Sequence, residues 1–116
     1  MAYVDGFLIP VPKKNIAAYR RMARRAGKIW RELGALDYHE CVVDDANMKF
    51  GRPFPVIAGA KKGETVIFAW ITYKSRAHRD RVNAKVMKDP RLKGPETPLF
   101  DSNRMSYGGF KVIVDL

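Results

Sequence analysis

Between Ile16 and Leu33 the apolar residues Ile16, Tyr19, Ala23, Ala26, Trp30 and Leu33 recur at steps of three and four, the spacing that lines one face of an α-helix. Pro12 suits the first turn of that helix and Gly34 its C-terminal stop. Ahead of it, Tyr3 to Ile9 is apolar at nearly every position, as in a strand covered on both faces. Behind it, Leu36 to Val43 reads as a second strand. Thr65 to Tyr73 (TVIFAWITY) is β-branched and aromatic without a breaker, and is predicted to be a central strand. Ser75 is placed to cap a second helix that runs to about Lys88, with Val82 and Val86 one turn apart and Asp89-Pro90 ending it. A last strand is expected from Arg104 to about Val114, with Gly108-Gly109 marking a bulge or kink. From Asp44 to Gly63 the chain is punctuated by Gly51, Pro53, Pro55, Gly59 and Gly63. A helical turn over Phe54 to Ala60 is expected inside this long connection.

The order strand, helix, strand, strand, helix, strand predicts an α+β domain of the ferredoxin-like βαββαβ type, a single unit over residues 1–116. Right-handed crossovers would set strands one and three at the centre of a four-stranded antiparallel sheet, with both helices on one face. All four strands nevertheless carry large apolar residues at both parities, for instance Phe68 and Trp70 against Ile67 and Ile71. The helix-free face therefore also calls for cover. A two-fold homodimer packing sheet on sheet, a dimeric α+β barrel, supplies it.

Composition changes this picture in one respect. Hydrophobic residues are 47% of the chain and charged residues 29%, which excludes intrinsic disorder. The net charge, however, is +10. Much of that excess sits on the first helix and its approach: Lys13, Lys14, Arg20, Arg21, Arg24, Arg25, Lys28 and Arg31 stand against Glu32 alone. The single Cys41 excludes an internal disulfide, and with only His39 and His78 beside it there are too few soft ligands for a structural zinc site. No apolar run approaches membrane-spanning length, and the opening MAYVDGFLIPVPKK carries its acid before and its lysines after the apolar run, opposite to a secretory signal. A cytoplasmic protein with no membrane partner is expected.

Five segments point to a family: YVDGF at 3–7, Glu40-Cys41 with Asp44-Asp45, GETVIFAWI at 63–71, Asn83 and Met87 with Asp89-Pro90-Arg91, and FDxxRMxYGGF from Phe100 to Phe110. Together they resemble the YbaA-like family of uncharacterised bacterial proteins, over nearly the whole chain. The segment NMKFGRPFPVIAGAKK after Asp45 is richer in Gly and Pro than that pattern. The resemblance implies a dimeric α+β barrel and a domain of unknown function. It names no catalytic residues and no cofactor.

Three classes of function remain open on the residues. A small-molecule site between sheet and helices would draw on polar groups set into apolar strands: Asp5, His39, Glu40, Trp70 and Tyr107. A likeness of fold to haem-degrading monooxygenases adds His78, since Asp5, Trp70 and His78 occupy loosely similar elements, with an acid where those enzymes carry an amide. RNA or DNA binding would use Arg20, Arg21, Arg24 and Arg25 on the solvent side of the first helix, although the interleaved aromatics of single-strand readers are missing. A non-catalytic scaffold or regulatory subunit is the third class. It fits the absence of a nucleophile-and-base pair, a phosphate-binding Gly loop or a metal-ligand spacing.

Overall fold

The computed structural model describes residues 2–94 and 97–116, which form four strands and three helices. In chain order these are β1 (Tyr3–Pro12), α1 (Ile16–Glu32), β2 (Asp37–Val42), α2 (Phe54–Ala58), β3 (Glu64–Tyr73), α3 (Arg76–Lys88) and β4 (Ser106–Lys111). The strands make one antiparallel sheet in the order β2-β3-β1-β4. TVIFAWITY lies inside it, paired with β1 along its whole length from Tyr3 opposite Tyr73 to Pro12 opposite Glu64. No helix among the described residues is long and apolar enough to cross a membrane.

Alternation along the strands decides what each face carries. Odd-numbered residues of β1 and β3 turn toward the helices and build the core in two lobes. Tyr3, Ile71 and Tyr73 pack with Val82 and Val86 of α3 in one lobe, and Ile9, Val11, Ile67 and Ala69 pack with Tyr19 and Ala23 of α1 in the other. The body measures 39 × 38 × 20 Å. On the second face, among the described residues, the short α2 covers one end, with Phe54 on Phe68 and with Pro10 and Val66 buried, while Phe68 and Phe110 are left exposed.

Local signals explain the boundaries. Gly34, at φ 123°, ends α1: its N–H bonds the Arg31 carbonyl while the Ala35 N–H bonds that of Trp30, the paired pattern of a Schellman stop. The Ser75 hydroxyl accepts from the His78 N–H and starts α3. The first strand runs past Ile9 to Pro12. Pro10 and Pro12 are tolerated there because β4 stops opposite Leu8, which leaves that end of β1 with a neighbour on one side only.

The last strand differs from expectation in two ways. Arg104 does not open it. The Asp101 carboxylate accepts from the Asn103 N–H and holds Ser102–Arg104 in a 3-10 turn, so β4 begins at Ser106 and ends at Lys111. Gly108 and Gly109 form no bulge, since they pair in unbroken register with Gly6 and Asp5. At Gly109 the reason is steric: a Cβ there would sit 2.7 Å from the Tyr3 ring and 2.8 Å from the Arg79 guanidinium.

Candidate functional site

On the helix side of the sheet, α1 and the edge strand β2 do not close completely. Tyr19, Ala23 and Gly27 of α1 stand one turn apart on a single face. Tyr38, Glu40 and Val42, at alternate positions of β2, turn toward them. Because Ala23 and Gly27 are small, the wall of α1 is low there, and a cavity of about 850 Å³ lies between it and β2, floored by Ile67. That volume falls among ligand sites rather than packing defects.

Gly27 also fixes one end of the cleft. A Cβ there would meet the Tyr38 ring at 2.5 and 2.8 Å, so only glycine lets this ring lie against the helix backbone. From that position the Tyr38 hydroxyl donates to Glu40 Oε2 at 2.6 Å, and the Tyr19 hydroxyl donates to Glu40 Oε1 from the other side. Both phenols are held above their ordinary pKa, first by burial and then by the Glu40 charge and its hydrogen bond. They therefore stay protonated and keep Glu40 in place.

The rim of the cleft is cationic. Arg20, Arg24, Lys28 and Arg31 line it, with Glu40 the one carboxylate in the lining among the described residues. Arg31 is engaged by the Leu36 carbonyl and stands 3.7 Å from Asp37. Arg20, Arg24 and Lys28 make no hydrogen bond or ion pair among the described residues. Arg21 and Arg25 fall on another side of α1, where Arg25 Nη2 donates to the Arg91 carbonyl at 3.1 Å. The four arginines read from the sequence as one basic face thus divide into two rows, because successive pairs are rotated around the helix.

The polar residues singled out on the strands are likewise separated. Asp5, 5% exposed, lies beneath α3, 3.7 Å from Arg79 Nε. Arg79 stacks over the Tyr3 ring and donates to its hydroxyl at 3.0 Å. Burial raises the Asp5 carboxyl above its ordinary range, and the Arg79 charge and the nearby Asn83 side chain offset that only in part. His39 and Trp70 occupy the opposite face, away from α1 and α3, stacked with ring centroids 4.7 Å apart. Trp70 also touches Phe68, which stacks on Phe54. With Phe110 beside Gly6 and Gly108, these rings form an aromatic face on which Phe54, Phe68 and Phe110 are all at least 45% exposed. His78 Nδ1 accepts from the Lys74 N–H, and Tyr107 stacks on Phe7 at the β4 edge.

Asp5, Trp70 and His78 therefore do not surround a common space, and they do not fit a haem site. Strand parity puts Asp5 and Trp70 on opposite faces of the sheet. Among the described residues, no three His, Cys, Asp or Glu side chains gather to hold a metal ion. The residues that sequence reasoning left out of the cleft are Tyr19, Tyr38, Lys28 and Arg31. The alternation Tyr38-x-Glu40 was the available signal for one of them, since it sets both on one side of a strand.

Comparison with known proteins supports the family resemblance. Residues 2–102 match the family described as "Protein of unknown function (DUF1428)". The chain is 44% identical over 117 aligned positions to the uncharacterized protein YbaA of Escherichia coli (strain K12), covering 99% of both chains, and equally to that of Shigella flexneri. Among solved structures, Rv0793 from Mycobacterium tuberculosis superposes with a TM-score of 0.58 at 12% identity, over 99% of this chain and 98% of that one, a likeness of fold alone. The α+β fold is shared at that distance, and the chain itself belongs to the YbaA-like DUF1428 family.

Proposed function

We propose that this is a small-molecule-binding protein whose ligand occupies the cleft between α1 and β2, and that it works as a homodimer of ferredoxin-like units, a dimeric α+β barrel. The observation that carries the reading is the cleft itself: about 850 Å³, walled by apolar and small residues, with the Tyr19–Glu40–Tyr38 cluster built into its floor and cations along its rim. A few placed polar groups in an otherwise apolar cavity is the usual composition of a ligand site. The dimer is supported by the aromatic face, which a two-fold partner would bury through the same rings.

The cleft offers orientation and charge. Tyr19 and Tyr38 are spent as donors to Glu40, so it lacks an activated nucleophile, and binding is the activity proposed. Amide resonances of the labelled protein, followed across a library of small organic compounds, test this. Binders are expected to move residues 16–31 and 38–42 together. A library in which no compound moves them would favour the scaffold role instead.

A further inference from the structure

We infer that the cleft takes small organic anions, with a carboxylate or phosphate head held by the row Arg20, Arg24 and Lys28 and an apolar body lying over Ala23, Gly27 and Ile67. The inference rests on the reading of this cleft as a ligand site and adds the chemical class of the occupant.

The row is set at steps of four residues, about 6 Å apart along one edge of α1. Several cations elsewhere have partners. Arg25 has the Arg91 carbonyl, Arg31 has Leu36 and Asp37, Arg91 has Asp89 and Glu32, and Arg104 has Glu64. Arg20, Arg24 and Lys28 alone combine a place in the cavity lining with no partner among the described residues. A cationic ligand would meet this row with one carboxylate to receive it, and both oxygens of Glu40 already accept a phenol O–H. An anion meets the row directly. The rest of the lining is mostly apolar, which a bare inorganic ion cannot use. Since the phenols donate to Glu40, their oxygens face an occupant as acceptors, and a hydroxyl or N–H on the far end of the ligand would bind there.

Calorimetry paired with amide-resonance mapping on the full chain tests this with phenyl phosphate, inorganic phosphate, benzyl alcohol and benzylamine as probes. Phenyl phosphate is expected to move the α1 and β2 resonances and to bind at least about tenfold more tightly than the other three. Arg24→Gln should weaken it several-fold, and Arg20→Gln, Arg24→Gln and Lys28→Gln together by about tenfold or more, while Arg21→Gln leaves it unchanged. All four positions are exposed, and circular dichroism checks that the variants keep the fold. Benzyl alcohol or benzylamine matching phenyl phosphate in the cleft would overturn the anion class and leave the cleft standing. Inorganic phosphate matching it would overturn the apolar body. If no probe moves the cleft resonances, both the class and the cleft fall. A short oligodeoxynucleotide that binds along the row while phenyl phosphate does not would assign the row to a polyanion and overturn the inference.

Discussion

Two carboxylates show how the same group acquires opposite roles from its surroundings. Asp5 is buried with Arg79 Nε at 3.7 Å, a separation too long for a hydrogen bond, and its pKa is raised because burial outweighs its partners. A raised carboxyl pKa means that the fold is favoured by the protonated form and loses that part of its stability as pH climbs through the folded value. Asp5→Asn should therefore cost about 1 kcal/mol or less at neutral pH, and wild type should gain on the variant as the solution is acidified. Arg79→Ala should cost about 3 kcal/mol, since it leaves the carboxylate buried and unpaired and removes the cation above Tyr3. Glu64 behaves the other way. Arg104 Nη1 and Nη2 reach its two oxygens at 2.7 and 2.8 Å, and these bonds, with that from the Lys61 N–H, pull its pKa from 4.5 to about 2. Its contribution is present above pH 4.5 and lost as pH falls toward 2. Urea midpoints of wild type and Glu64→Gln, compared from neutrality down to pH 2, should differ at neutrality and converge over that window.

At the scale of elements, α1 and α3 are held to the sheet by different means. α3 buries only Val82 and Val86, so its cap matters, and Ser75→Ala should lower stability by about 1 kcal/mol in thermal unfolding. α1 is held around a ring inserted against its backbone, and Gly27→Ala should force that ring away, destabilising by about 1 to 3 kcal/mol. In the same variant the Tyr38 bond to Glu40 should be lost, visible as a fall of the Tyr38 phenol toward its ordinary pKa in tyrosine titration. How much could be read beforehand follows the range of each interaction. The α1 stop at Gly34, the Ser75 cap and the central position of TVIFAWITY are legible because their causes lie within a few residues. The closure of Tyr19 and Tyr38 on Glu40 was not, because it joins a helix to a strand 21 residues on through side chains that also suit a core. Asp5 stands out in the sequence as a polar residue in an apolar strand. Its partner Arg79 lies 74 positions away, however, where no periodicity could pick it from among 22 basic residues. Gly108-Gly109 reads as a bulge or kink from the sequence because glycine signals either bent backbone or close approach, and at Gly109 only the facing Tyr3 and Arg79 decide between them.

The whole molecule is a slab 20 Å deep, with one face packed by α1 and α3 and the other an aromatic face that α2 covers only at one end. Light scattering on the proposed dimer should return about 26 kDa, twice the 13.2 kDa chain. Phe68→Asp, which sets a charge in the middle of the aromatic face and touches no core residue of the helix side, should give a folded monomer. A wild type that stays monomeric at micromolar concentration would remove the barrel from consideration. The alternation of β3 joins the two faces. Ile67 belongs to the floor of the cleft, Phe68 and Trp70 to the aromatic face, and the same ten-residue strand carries all three. The proposed ligand site and the proposed dimer face thus share one strand. Any free energy that an occupant transmits through this strand must reappear, equal in size and sign, in how tightly two copies hold each other. If the proposed dimer and ligand are coupled in this way, diluting the protein measures its pocket, and filling the pocket measures its assembly.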